Sequence, residues 1–121
     1  MLEITNDNII YLTKGDSGVI NIEVSGSDVS TMDLVFTVRN AQNLDTEMFS
    51  LTSAEAQGTD DGIIEHESGT NKWTVTIYKE ATQGLKRKKY VYDFAVEDTA
   101  THGDKITFVG GGKEKLEFWV T

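Results

Sequence analysis

Large apolar residues recur at every second position on both sides of a short connection within the stretch from Lys72 to Asp98. They are Trp73, Val75 and Ile77 before the connection, and Tyr90, Tyr92, Phe94 and Val96 after it. A period of two is typical of a β-strand with one buried face, because successive side chains point to opposite sides. A slip of one residue would expose all of these groups. The pattern therefore predicts two strands of fixed register, with Trp73 in the core.

The connection itself, KEATQGL, contains helix-compatible residues followed by Gly84. It predicts a short helical turn at residues 79–84 that ends at the glycine, with Leu85 covering the core beneath it. Tyr90 follows directly and is the candidate for a tyrosine corner, in which the hydroxyl group bonds to upstream backbone. The alternative is that the hydroxyl groups of Tyr90 and Tyr92 simply reach water at the rim of the core.

Strand patterns begin at intervals of roughly 9 to 15 residues along the chain, and no amphipathic helix of three turns separates them. This spacing predicts an all-β fold, an antiparallel two-sheet immunoglobulin-like β-sandwich that forms one domain over residues 1–121. A closed barrel is the competing topology. In the middle of the chain, the residues are compatible with a strand at Glu47 to Thr52 and a helical turn at Ser53 to Gln57, but neither segment is long enough for periodicity to decide. The last strand is predicted at Lys113 to Thr121.

Composition argues against several classes of function. The chain has no cysteine, which excludes disulfides and thiolate metal sites. Its formal net charge of −9 argues against a nucleic-acid partner, because such proteins neutralise phosphates. No apolar run approaches the ~18 residues of a membrane span, and the first residues, MLEITNDN, do not resemble a signal peptide. We therefore expect no membrane partner, no signal peptide and no transmembrane segment.

One positively charged run interrupts this acidic chain, at Lys86, Arg87, Lys88 and Lys89. The pattern gives the run no role in folding, so it is either a solvated loop or a surface that docks on an acidic patch of a partner or a neighbouring copy. Trp119 falls on the polar face of the last strand. It is either covered by another layer or exposed, where it would anchor a protein interface or stack on a sugar ring. These five residues are the candidate interface.

The other groups of residues with possible chemical roles give only weak evidence for a catalytic or metal-binding site. Glu65 and Glu67 share one strand face, but adjacent acids are common in a chain this acidic. His66 and His102 are the only histidines and have no metal-binding spacing. The sequence around residues 60–62 lacks the alternating ligands of a calcium loop. The sequence therefore predicts no catalytic, cofactor-binding or metal-binding residues, and no enzyme.

Four segments carry a family resemblance through their order and spacing: YLTKGDSGVINIEV, DLVFTVR, WTVTIYKEATQGLKRKKYVYDFAVED and KITFVGGGKEKLEFWVT. Together they resemble a small β-sandwich module of tailed-phage and prophage structural proteins, similar to the N-terminal domain of the baseplate upper protein family. The matching parts are the turn at Thr13 to Ser17, the strand at Phe36 to Arg39, the corner at Lys79 to Leu85, the strand at Tyr90 to Phe94, and Val120-Thr121. The KRKK run departs from the family pattern, which has small residues there.

The resemblance implies a non-enzymatic structural or assembly module of a phage or prophage virion, of the tail or baseplate type. Such a module would be made in the host cytoplasm, would need no cofactor, and would bind other virion proteins or further copies of itself. The alternative is a carbohydrate-binding module that recognises glycans of the host cell surface. That function would need exposed aromatic side chains in a row, with polar groups beside them.

Overall fold

The computed structural model describes residues 1–26, 28–98, 105–109 and 116–121, with backbone alone for 105–109. Within these residues the chain forms ten strands and one short helix. In chain order they are β1 (Leu2–Ile4), β2 (Ile10–Leu12), β3 (Gly18–Glu23), β4 (Asp33–Asn40), β5 (Glu47–Thr52), β6 (Gly62–His66), β7 (Lys72–Ile77), α1 (Glu80–Gln83), β8 (Lys89–Glu97), β9 (Lys105–Val109) and β10 (Leu116–Val120). The all-β prediction is confirmed.

The strands form two sheets. The large sheet has the order β1-β2-β10-β8-β4-β5, with β9 beside the second half of β8, and the small sheet has the order β3-β7-β6. Every neighbouring pair is antiparallel except β2 and β10, which run parallel. No backbone ladder joins the two sheets in the part of the chain described here. The fold is therefore a sandwich and not a closed barrel, while its immunoglobulin-like character stays a prediction.

Alternate residues from both sheets meet in one hydrophobic core. The largest fully buried side chains are Trp73, Tyr90, Phe36 and Phe118. The ring of Phe36 lies at the centre, with ring centroids of neighbouring aromatic residues 4.7 to 6.3 Å away. Such aromatic contacts add to the stabilisation that burial of apolar area already supplies. The core position predicted for Trp73 is confirmed, and its ring stacks on that of His66 at 4.6 Å.

The middle of the chain agrees with the sequence prediction only in part. Strand β5 covers the predicted range, but the helical turn predicted at residues 53–57 is wrong. That segment forms consecutive turns, in which the hydroxyl oxygen of Thr52 accepts a hydrogen bond from the backbone N–H of Ala54. Side chains of this kind compete with the helical pattern for backbone donors. Of the predicted last strand, the structure describes β10 from Leu116, and residues 113–115 lie outside the described part.

The corner between β7 and β8 has the predicted form. Helix α1 lies between Lys79 and Gly84, as expected, although Gly84 is right-handed at φ −88° and not the left-handed cap that often ends a helix. The hydroxyl oxygen of Thr82, which is fully buried, accepts a hydrogen bond of 3.0 Å from the N–H of Gly15. Leu85 packs against the core. The corner is thereby attached both to the core and to the turn between β2 and β3.

Both tyrosines of β8 make backbone hydrogen bonds instead of reaching water. The hydroxyl group of Tyr90 donates to the carbonyl oxygen of Lys86 at 3.0 Å, which is the bond predicted for a tyrosine corner. The hydroxyl group of Tyr92 donates to the carbonyl oxygen of Asn8 at 2.5 Å. Burial raises the pKa of Tyr90, and it raises the pKa of Tyr92 to about 12. Each tyrosine therefore joins the central strand to a separate loop.

Replacing Tyr90 with Phe should lower the free energy of unfolding by about 1 to 2 kcal/mol, because the carbonyl group of Lys86 loses its donor while the ring still fills the core. Denaturant unfolding measures the change. Tyr11→Phe is the matched control, since the Tyr11 hydroxyl group has no hydrogen bond to any described residue. An equal effect of both substitutions would contradict a specific role for the Tyr90 bond.

Stability should also depend on pH through Tyr92. The pKa of an unfolded tyrosine is about 10, whereas that of folded Tyr92 is raised to about 12. Tyr92 therefore stabilises the fold fully below pH ~10, and this contribution is lost as the pH rises towards about 12. The difference in unfolding free energy between the wild type and Tyr92→Phe should narrow over that interval. A difference that stays constant with pH would show that the Tyr92 hydroxyl group is not desolvated.

Candidate functional site

The basic run, residues Lys86 to Lys89, lies where the α1 segment leads into β8. We call these four residues the basic corner. The side chains of Lys86, Arg87 and Lys89 are exposed, and that of Lys88 is half-buried. The position places a concentrated positive charge at one end of the large sheet, on a chain whose net charge is −9.

The backbone of the basic corner takes part in the fold. The carbonyl oxygen of Lys86 accepts from the Tyr90 hydroxyl group, and that of Lys88 accepts from the N–H of Val120 at 3.1 Å. Lys89 is already part of β8 and lies opposite Trp119 in the ladder with β10. The expectation that this run has no folding role is therefore wrong, because its carbonyl groups connect the corner to β8 and β10. A local charge pattern cannot reveal such backbone partners.

The side chains of the basic corner are engaged only lightly. Arg87 donates from Nε to the carbonyl oxygen of Thr121 at 3.3 Å, and Lys88 Nζ lies 5.3 Å from the centroid of the Tyr90 ring. Among the described residues, the ion pairs join the Met1 amino group to Asp16, Arg39 to Asp93, and Lys72 to Glu23. None of them includes the basic corner. The four cations thus have no ion pair with a carboxylate in the described part of the chain, and only their backbone is fixed by the fold.

Trp119 lies on the outer face of the large sheet, as predicted, and is half-buried. It faces Tyr11 on one side, in the parallel ladder between β10 and β2, and Lys89 on the other. The rings of Tyr11 and Trp119 lie 6.4 Å apart at an interplanar angle of 20°. The Trp119 indole N–H donates to the Glu117 carboxylate at 2.8 Å. We call Tyr11 and Trp119 the aromatic pair.

A hollow of about 360 Å³ lies between the basic corner and Trp119. It is lined by Ala41, Gln42, Lys88, Lys89 and Trp119. The structure therefore brings two of the four predicted cations together with the predicted tryptophan. Lys86 and Arg87 do not line this hollow.

Sequence reasoning missed Tyr11 and Glu117 as members of this site. Tyr11 alternates with Ile10 and Leu12, so its place on an outer face was visible in the sequence. Its proximity to Trp119 was not visible, because the two residues are far apart in the chain and meet only through the parallel pairing of β2 with β10. Glu117 lies two residues from Trp119, and this spacing was the one local signal available.

The chemistry available at this site is recognition of negative charge beside an aromatic ring. Ammonium and guanidinium groups donate hydrogen bonds to carboxylates and other anions, and an indole ring offers a large apolar face. The acids considered above lie elsewhere: Glu65 and Glu67 are exposed on or beside β6, and His66 is engaged in its stack on Trp73. Among the described residues, no group of three or more histidine or acidic side chains is arranged to hold a metal ion.

The sequence matches no protein-family model, and a search of curated proteins finds no significant match. No helix in the described part of the chain is long and apolar enough to cross a membrane. The protein is an all-β sandwich in which the basic corner adjoins the aromatic pair on the outer face of the large sheet.

The side chains of the basic corner differ in how much they contact the fold. Substitutions at exposed positions and at Lys88 should therefore have different effects on stability. Lys86→Ser combined with Lys89→Ser should change the free energy of unfolding by less than about 0.5 kcal/mol, since both side chains are exposed. Lys88→Ser should lower it by about 0.5 to 1 kcal/mol, because it removes the cation from the Tyr90 ring. Denaturant unfolding of both variants checks this. A larger loss in the double variant would mean that its cations serve the fold.

Proposed function

We propose that the chain is a non-enzymatic structural or assembly module of a phage or prophage virion, of the tail or baseplate type. It binds its partners through the basic corner and Trp119. The observation that supports a binding role is the group of four cations, positioned by backbone hydrogen bonds and without ion pairs among the described residues. The assignment to a virion rests on the resemblance of the ordered sequence segments.

The state of the basic corner favours binding for a physical reason. A long charged side chain loses conformational freedom when it binds, but a backbone that is already fixed adds no further cost of ordering a loop. Cations without an internal partner attract an acidic surface at a distance and orient it on approach. A tryptophan beside them provides apolar area of the kind that dominates many protein interfaces. The partner that fits this chemistry is an acidic protein surface.

Recognition of host cell-surface glycans is the second candidate, and the aromatic pair favours it. The rings of Tyr11 and Trp119 are close to parallel, and the side chains of Glu117 and Lys89 lie beside them. Sugar rings stack on such surfaces while their hydroxyl groups bond to adjacent polar side chains. Both rings are half-buried, however, and the indole N–H already binds Glu117, which leaves less surface for a sugar.

Binding to proteins encoded by the neighbouring genes tests the proposed function. The purified chain should bind at least one of them, and Lys86→Ser combined with Lys89→Ser should weaken this binding by about tenfold or more, because charge-assisted contacts are lost. Isothermal titration calorimetry measures both affinities. The matched control is Lys14→Ser with Lys79→Ser, which removes the same charge from residues that are not part of the basic corner. This control should bind like the wild type.

Two results would contradict the proposal. If neither a neighbouring protein nor a second copy of the chain binds, or if both double variants bind as the wild type does, the basic corner is not a protein-docking surface. If a panel of glycans changes tryptophan fluorescence and releases heat while no protein binds, the second candidate replaces the first.

A further inference from the structure

Opposite charges are separated on this molecule. Four of the 11 basic residues lie in the basic corner, which leaves seven for the rest of a chain that has 20 acidic residues. The basic corner belongs to the large sheet. Such a charge distribution makes one surface of the molecule complementary to another surface of an identical molecule.

A group of acids lies on the outer face of the small sheet. Glu65 on β6 is opposite Thr74, and Glu67 continues the same face two residues later. Glu23 on β3 lies opposite Lys72 and forms an ion pair with it at 3.6 Å. We call Glu23, Glu65 and Glu67 the acidic face. All three are exposed, and neither Glu65 nor Glu67 forms an ion pair with another described residue.

A groove of about 260 Å³ crosses this region. It is lined by Asn21, Ile22, Glu23, Glu67, Lys72, Trp73 and Thr74. Trp73 is only 2% exposed, and its indole N–H has no hydrogen-bond partner. Its side chain belongs to the hydrophobic core, so this buried donor is not offered to a partner on the outer face. The acidic face thus combines exposed carboxylates, two of them without an ion pair to a described residue, with a groove beside them.

We propose that the partner of the basic corner is a second copy of this chain, and that it docks there through its acidic face. The cations of one copy meet Glu65 and Glu67 of the next, while Trp119 lies against the groove. This inference rests on the proposed function, because it names the partner of the same docking surface. This inference requires self-association of the chain, whereas the proposed function does not.

The geometry determines the type of assembly. The basic corner belongs to the large sheet, and the acidic face is the outer face of the small sheet, so each copy uses two different surfaces. Such a contact is heterologous, because the acidic face of the first copy stays free after its basic corner has docked. Repetition of the contact gives rings or open chains, and only reciprocal docking of two copies about a two-fold axis would stop it at a dimer.

Salt is expected to affect the association in two opposing ways. Two bodies of charge −9 repel each other at a distance, and salt screens this repulsion with a Debye length of about 8 Å at physiological ionic strength. The ion pairs in the contact are shorter and are screened less. A contact formed by one face of a three-stranded sheet is small, and interfaces of this size bind weakly. Association should therefore be measured at physiological salt and over a wide range of protein concentration.

The proposal is tested with two double variants, each of which lacks one of the two docking surfaces. The corner variant carries Lys86→Ser and Lys89→Ser, and the face variant carries Glu65→Gln and Glu67→Gln. Sedimentation velocity should show that the wild-type mass rises with concentration beyond that of a dimer, whereas each variant alone associates about tenfold more weakly or worse. An equimolar mixture of the two variants should form a heterodimer and stop there, because only one intact pair of surfaces remains.

Matched controls correct for the change in net charge. Lys14→Ser with Lys79→Ser removes two positive charges, and Asp7→Asn with Glu55→Gln removes two negative charges, all at residues that are not part of the basic corner or the acidic face. Both controls should associate as the wild type does. Circular dichroism of every variant verifies that the fold is retained.

The possible results separate this proposal from the proposed function. A wild type that stays monomeric at all concentrations overturns self-docking, and so does a face variant that associates normally or a mixture that stays monomeric while the wild type assembles. The wild type could be monomeric and still bind a protein encoded by a neighbouring gene, with weaker binding in the corner variant. In that case the proposed function stands, and only the identity of the partner is wrong. If the wild type neither self-associates nor binds a protein encoded by a neighbouring gene, both proposals are overturned.

Discussion

The hydrogen bond from the Tyr90 hydroxyl group to the carbonyl oxygen of Lys86 connects the core of this protein to its candidate interaction surface. Tyr90 is almost completely buried in the central strand β8, which pairs with β4, β9 and β10. Because the ring is held by the core, the carbonyl group that it binds is held as well. The position of the basic corner therefore depends on the packing of the sandwich and not on the charges themselves.

This arrangement separates two tasks within four consecutive residues. The carbonyl groups of Lys86 and Lys88 complete the hydrogen bonds of β8 and β10, while the charged ends of the side chains remain largely outside the fold. Exposed cations that lack ion pairs contribute little to stability, so they can be selected for binding. A surface built this way can change its charge without loss of the fold, which makes the two functions experimentally separable.

The sequence predicted the strands around residues 72–98, the helical turn before β8 and the inward position of Tyr90 correctly. These features depend on period-two alternation and on residues that are neighbours in the chain, so local rules were sufficient. The helical turn at residues 53–57 was wrong because the Thr52 side chain binds a backbone donor in a turn. Trp119 was placed on the correct face, but its neighbour Tyr11 was not identified.

By itself, the sequence determined the all-β class, the face to which most strand residues point, the charge of −9 and the position of its one basic cluster. The tertiary structure alone decided that β2 pairs in parallel with β10, that Tyr11 and Trp119 therefore lie side by side, and that the basic corner and the acidic face belong to different sheets. The physical reason is the range of the interactions. Alternation reflects burial of one side of a single strand, whereas strand pairing and sheet stacking join residues that are far apart in the chain.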